Sequence, residues 1–245
     1  MAIASQTIRE IISSQPTAAA ILQRFEIDVC AQANETLAGA CAQLQLSVDQ
    51  VLEKLKDGAA IETGALHGDV SGYSTGRLIQ HIVRIHHHDI RQELPRLVEL
   101  AHTVAHTYAD RAPHLNVIAR LVEDLRSDLA QHINKEEQVL FPYIAQVEEA
   151  PLLAFRPPQL CFTRIGQPVF VMVQEHELAA HIVAELRRQT DDFKPPVWAC
   201  STFVAFYSGL RTFLDNLEVH IRLENEVLFP RAIEMEKALM TAGAQ

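Results

Sequence analysis

Apolar residues recur at helical spacing along most of the chain. Ile8, Ile11 and Ile12 open the pattern, Ser13-Ser14-Gln15-Pro16 breaks it, and Thr17 is placed to cap a second helix through residues 18–22. Thr36-Leu37 begins another helix, and Ser47 is a good N-cap for Val48 to Leu55, with Gln50 at the capping-box position. Residues 1–55 therefore read as a small helical domain. Residues 56–76 hold Gly58, Gly64, Gly68, Gly72 and Gly76, five of the nine glycines, and read as a flexible linker.

Longer stripes follow. Leu78, Ile79, Ile82, Val83, Ile90, Leu94, Leu97, Val98 and Val104 predict a first long helix over 77–109, with Pro95 as a point of kinking. Leu115, Ile118, Leu121, Val122, Leu125 and Leu129 predict a second over 114–147, bent or ended at Pro142. A proline-marked loop of about twenty residues comes next, longer than helix connections usually are. A third helix is expected over 168–191 and a fourth, rich in Phe203, Phe206, Tyr207 and Phe213, over 197–226, with a short tail helix past Pro230. The expected fold is all-α: a four-helix bundle over 77–245 behind the small N-terminal domain.

Composition agrees. Hydrophobic residues make up 48% of 245, enough for a sizeable core, and few glycines and aromatics argue against a β-sandwich. The net charge of -10 argues against non-specific nucleic-acid binding. No apolar run reaches membrane-spanning length, and the first residues lack a basic, then apolar, secretory pattern. Cys30, Cys41, Cys161 and Cys200 form no Cys-x-x-Cys pair, so a reducing cytoplasm is the expected compartment, with Cys161 and Cys200 as packed thiols.

The chemistry lies in a stretch that occurs twice. His132-Ile-Asn-Lys-Glu136-Glu137-Gln-Val-Leu-Phe-Pro142 matches His220-Ile-Arg-Leu-Glu224-Asn225-Glu226-Val-Leu-Phe-Pro230 at His, Ile, Glu, Val, Leu, Phe and Pro. A Glu four residues after a His lies about 40° round the helix and one turn on, so both side chains can meet at one point. Imidazole with carboxylate is a set that metal ions use. The repeat extends upstream: His132 follows His87 by 45 residues, and His220 follows His176 by 44. Four imidazoles and two carboxylates are about what a pair of iron ions in a four-helix bundle requires.

Spacing leaves His86-His87-His88 ambiguous, because neighbours on a helix point about 100° apart and only one can join the set. A stripe through His81 and His88 competes. His67, His102, His106 and His114 read as solvated, and His181, five residues after His176, is off that ligand's face. Asp128 and Glu175 are candidates to orient ligands, while Glu137 and Glu226 are rotated off the stripe and are expected to be dispensable.

These motifs resemble the repair-of-iron-centres family within the hemerythrin-like di-iron group. They comprise the doubled His-x-x-x-Glu-x-x-x-Leu-Phe-Pro, the Glu-His before the third-helix ligand, the Arg-x-x-His…Leu-Pro of the first helix and an Asp-x-Cys in a ScdA-N-like N-terminal domain. The resemblance puts the first-helix ligand eight residues before Pro95, on His87, and the others on His132, Glu136, His176, His220 and Glu224. It implies two iron ions in an oxo- and carboxylate-bridged centre, with the glutamates bridging and two histidines capping each iron. It further implies a non-haem protein of the nitrosative and oxidative stress response. Such a protein repairs damaged iron–sulfur clusters by iron delivery or by binding or reducing nitric oxide. Its partners would be O2 or NO and iron–sulfur client proteins, not nucleic acid or membrane, and it would be a monomer or homodimer. The alternative is an oxygen or nitric oxide sensor without catalysis. Two departures stand out. Ala180 occupies the place of a second third-helix histidine found in typical hemerythrins, and Cys30-Ala31 replaces the family's adjacent cysteine pair.

Overall fold

The computed structural model describes residues 3–15, 18–29, 31–60, 70, 72–153 and 163–242. Thr17, Cys30, Cys161, most of the glycine-rich stretch and much of the proline-marked loop lie outside them. Every regular element among the described residues is helical.

Four short helices come first: α1 (Ile8–Ser14), α2 (Ala18–Arg24), α3 (Leu37–Gln43) and α4 (Val48–Ala60). Thr7 starts α1 with a capping box absent from the sequence reading: its hydroxyl accepts from Glu10 N at 3.2 Å while the Glu10 carboxylate accepts from Thr7 N at 2.8 Å. Thr36 caps α3, which begins where expected, by accepting from Gly39 N at 3.1 Å. Ile8 N–H to Glu35 O and Leu37 N–H to Gln6 O join the starts of α1 and α3. Ile8, Ile11, Ile12, Leu22, Leu37, Val51 and Leu55 close one core, which also takes in Ala205. Each such aliphatic side chain contributes roughly 2 kcal/mol on burial. α4 runs through Gly58 to Ala60 and the next helix starts at Thr75, and the middle of the expected linker lies outside the described residues.

The remaining chain forms α5 (Thr75–His81), α6 (His88–Thr107), α7 (Leu115–Lys135), α8 (Phe141–Leu153), α9 (Gly166–Gln189), α10 (Ser201–Arg222) and α11 (Phe229–Ala242). Three junctions are π turns rather than breaks: Ile82–His87 between α5 and α6, Glu136–Leu140 between α7 and α8, and Leu223–Leu228 between α10 and α11. Phe141 N–H reaches back five residues to Glu136 O, and Phe229 N–H to Glu224 O. Pro142 and Pro230 follow at once. A π turn already takes a carbonyl out of the α ladder, so the N–H that proline lacks is not missed and the helix continues. Pro142 therefore ends nothing, and the expected tail helix past Pro230 is a direct extension of α10.

The chain divides into two compact units, residues 1–68, 95–122 and 186–214, and residues 69–94, 123–185 and 215–245. In the second unit Leu78, Ile82, Leu140, Phe141, Ile144, Val169, Leu228, Phe229 and Ala232 form one core. Ser74 caps α5 by accepting from Arg77 N, and Glu148 of α8 accepts from Thr75 N at 2.9 Å and Gly76 N at 2.7 Å. Those bonds satisfy orphan donors of the helix start. A Cβ on Gly76 would stand 3.0 Å from the same carboxylate.

Candidate metal centre

The second unit gathers all six predicted site residues into one buried cluster. His87 ends the first π turn, His132 lies on α7, His176 on the regular helix α9 and His220 on α10, while Glu136 and Glu224 stand at the start of the other two π turns. None of the six exceeds 3% exposure. Their ligand atoms fall into two overlapping groups, His132, His176, His220 and Glu224, and His87, Glu136, His220 and Glu224, each with atoms within 4.8 Å of one another.

The carboxylates span the cluster. Glu136 Oε1 lies 3.4 Å from His132 Nε2, and its Oε2 lies 3.4 Å from His87 Nε2. Glu224 Oε2 lies 3.2 Å from both His176 and His220 Nε2, and its Oε1 lies 3.9 Å from His87 Nε2. All four oxygens are buried and none receives a hydrogen bond. Burying such groups unsatisfied is costly, so these oxygens call for a cation.

The imidazoles point the same way. The outer nitrogen of His87 donates to Glu137 at 2.7 Å, that of His132 to Glu175 at 2.9 Å, and that of His176 to Asn225 Oδ1 at 2.9 Å. Carboxylate and amide oxygens only accept, so the proton sits on Nδ1 and Nε2 is left as a lone-pair donor facing inward. His132 and His176 then set two such nitrogens 3.0 Å apart. Only a proton or a metal ion between them relieves that approach. Without metal, the neighbouring carboxylates favour the protonated rings of His87 and His132. Burial pulls the His87 pKa down, but Glu136 and Glu224 outweigh it and carry it up to about 10. His132 rises to about 9 against the same burial, through Glu136, Glu224 and Glu175. Burial pushes Glu224 up, yet His220, His176 and His87 hold it well below the usual carboxylate range. The residues present fit a metal-binding site.

The repeat acquires a structural meaning here. Phe141 stacks on His87, centroids 5.7 Å apart and 15° from parallel, and Phe229 stacks on His176 at 6.0 Å and 8°. In each copy the phenylalanine of Leu-Phe-Pro fixes the upstream histidine's face, and the residue after the glutamate, Glu137 or Asn225, fixes its Nδ1. The sequence reading missed both roles. Glu137 is not idle: it also accepts from Arg91 at 2.9 Å, and Arg91 with His87 lowers its pKa against burial. Glu175 orients His132, as expected, and is itself held by Lys135. Asp128, the other candidate, lines a cavity of about 160 Å³ with Gln131, Lys135, Glu175 and Leu178, which reaches His132 and His176.

Of the histidine triplet, His88 is exposed, but both His86 and His87 are buried, against the expectation of one. The π turn widens the face that this helix presents. His81 stands edge-on to His86 at 5.6 Å, outside the cluster. His181 bonds the carbonyl of Glu177 on its own helix and is exposed, and His102, His106 and His114 are exposed too. Cys200 is half-buried at the start of α10.

A helical bundle whose buried histidines and glutamates converge in this way is a hemerythrin-type cation-binding fold, and residues 78–232 match the hemerythrin HHE cation binding domain. Residues 4–59 match ScdA_N, a domain of unknown function. The chain is 32% identical over 236 residues, 96% of its length and 100% of the relative's, to an iron–sulfur cluster repair protein YtfE of Enterobacter sp. (strain 638). It is 31% identical with the same coverage to YtfE proteins of Escherichia coli O1:K1 / APEC and Escherichia fergusonii. The chain belongs to this family of iron–sulfur cluster repair proteins. No helix among the described residues is long and apolar enough to cross a membrane.

Proposed function

We propose that the cluster holds two iron ions and that the protein restores damaged iron–sulfur clusters under nitrosative or oxidative stress. In this reading Glu136 and Glu224 would lie between the ions and His87, His132, His176 and His220 would supply the imidazole ligands. What carries it is the four buried, unbonded carboxylate oxygens among four inward imidazole nitrogens. Its functional half is supported by full-length similarity to relatives named for cluster repair.

An iron pair held there supplies open positions for small diatomic ligands such as NO or O2 and a reserve of exchangeable iron. The chain's own part is to fix the donors. Glu137, Glu175 and Asn225 hold the Nδ1 protons outward, and Phe141 and Phe229 hold two ring planes. Such partners raise ligand basicity and set orientation. The cavity beside His132 and His176 gives a small molecule a way in. Client iron–sulfur proteins and a reducing cytoplasm belong to the same reading.

The test combines iron analysis with a repair assay. Protein from an iron-replete host should carry two irons per chain and restore activity to a nitric-oxide-damaged iron–sulfur enzyme, and Glu224→Gln should fail at both. Two irons without any repair, together with tight NO binding, would move the reading to a sensor.

A further inference from the structure

His86 is buried to 2% exposure, and neither of its ring nitrogens has a hydrogen-bond partner among the described residues. The Nε2 of His81 is buried and unpartnered in the same way, although the residue as a whole is partly exposed. The two rings lie 5.6 Å apart at 71°. His86 lies 5.7 Å from His220 on one side, and His81 lies 5.9 Å from the partly exposed Tyr73 on the other. A row of imidazoles thus runs from the metal centre outward. Residues five apart on an α-helix point about 140° apart. The π turn Ile82–His87, bonding at i to i+5, brings His81 and His86 towards one face instead.

We infer that His81 and His86 form a third, outer metal position for a divalent first-row cation, with water completing its coordination. The inference rests on the reading of the six-residue centre as a metal site. With metal–nitrogen bonds of about 2.1 Å, two imidazoles on one ion place their ring centres roughly 5–6 Å apart, which is the spacing seen. Among the described residues no ion pair joins a carboxylate to His81 or His86, and an ion here faces two others nearby. Neutral donors and mutual repulsion make it the weakest and most exchangeable of the three. It is a staging point between the centre and the surface, suited to a protein that gives iron away.

The test is a titration of the full-length, metal-stripped chain with cobalt(II) alone, without oxygen, followed by absorption and calorimetry. Three equivalents are expected, two tight and a third at least tenfold weaker. His81→Ala and His86→Phe should each bind two, with the tight pair unchanged, while His102→Ala, a change at an exposed histidine on α6, should keep three. His81 is partly exposed, so its variant remains informative if His86→Phe misfolds. A wild-type chain that stops at two equivalents overturns the inference, as does a third equivalent that survives both changes. Absence of the tight pair itself would instead overturn the metal centre, and is read separately.

Discussion

At the residue scale the site separates donors from the groups that aim them, and the two should fail differently. Glu136 and Glu224 are fully buried and their oxygens span the cluster, so either changed to Gln removes a negative charge from the proposed iron site. Iron content should fall from two to one or fewer while the helical content stays intact. Glu137→Gln should behave otherwise. It weakens the hold on His87 Nδ1, and such changes typically cost 10–100-fold in metal affinity, so both irons should return when iron is in excess. Exposed Glu226→Gln should change nothing. Iron binding isotherms of the four variants check this, and a Glu136→Gln protein with wild-type affinity would sink the bridging assignment. Within the triplet, His87→Ala should lose at least one iron, and His88→Ala none. The donors were legible in the sequence because repetition marks them: His-x-x-x-Glu occurs twice with matched upstream histidines. Asn225 and Glu137 were not. They act through contacts with residues 49 and 50 positions away, and nothing local distinguishes them from surface polar residues.

At the element scale the π turns do the aiming. Apolar periodicity predicts a helix and is nearly blind to one extra residue within it, so the long helices were foreseen and their wide turns were not. Pro142 and Pro230 were the visible trace, Pro142 read as a bend or an end because an α-helix tolerates proline poorly. Deleting Val139, exposed inside the second π turn, should return that stretch to α geometry. Circular dichroism and the melting temperature of the metal-free protein should be unchanged, while iron loading collapses because Glu136 rotates off the cluster. Retention of two irons in that variant would show that the wide turn is incidental. Glu148 illustrates another long-range device: its carboxylate closes the start of α5 from 72 and 73 residues away. Glu148→Ala should cost about 1–2 kcal/mol of stability by analogy with a lost N-cap, measured by denaturant unfolding of the iron-loaded protein. Gly76→Ala should cost less, since the carboxylate can shift a little.

At the scale of the whole molecule, the N-terminal helices and the metal centre fall in different compact units. A chain starting near Ser74 should therefore bind two irons. It should also melt earlier than the full chain, because the N-terminal core takes in Ala205 of α10 and truncation bares that surface. Loss of iron from this chain would show that the centre depends on the N-terminal residues. Metal itself should stabilise strongly: free iron at 1,000 times its dissociation constant contributes about 4 kcal/mol. Chelation should lower the melting temperature of the wild type and leave Glu224→Gln where it was.

The two overlapping ligand groups carry a consequence for biosynthesis. Each draws on His220 and Glu224, near the end of the chain, together with His132, or with His87 and Glu136, from far earlier. A ribosome that has released only the first copy of the repeat has released no complete ion position. In the proposed reading a complete ion position therefore exists only once α10 and its extension have joined the earlier helices, and iron is expected to load after that.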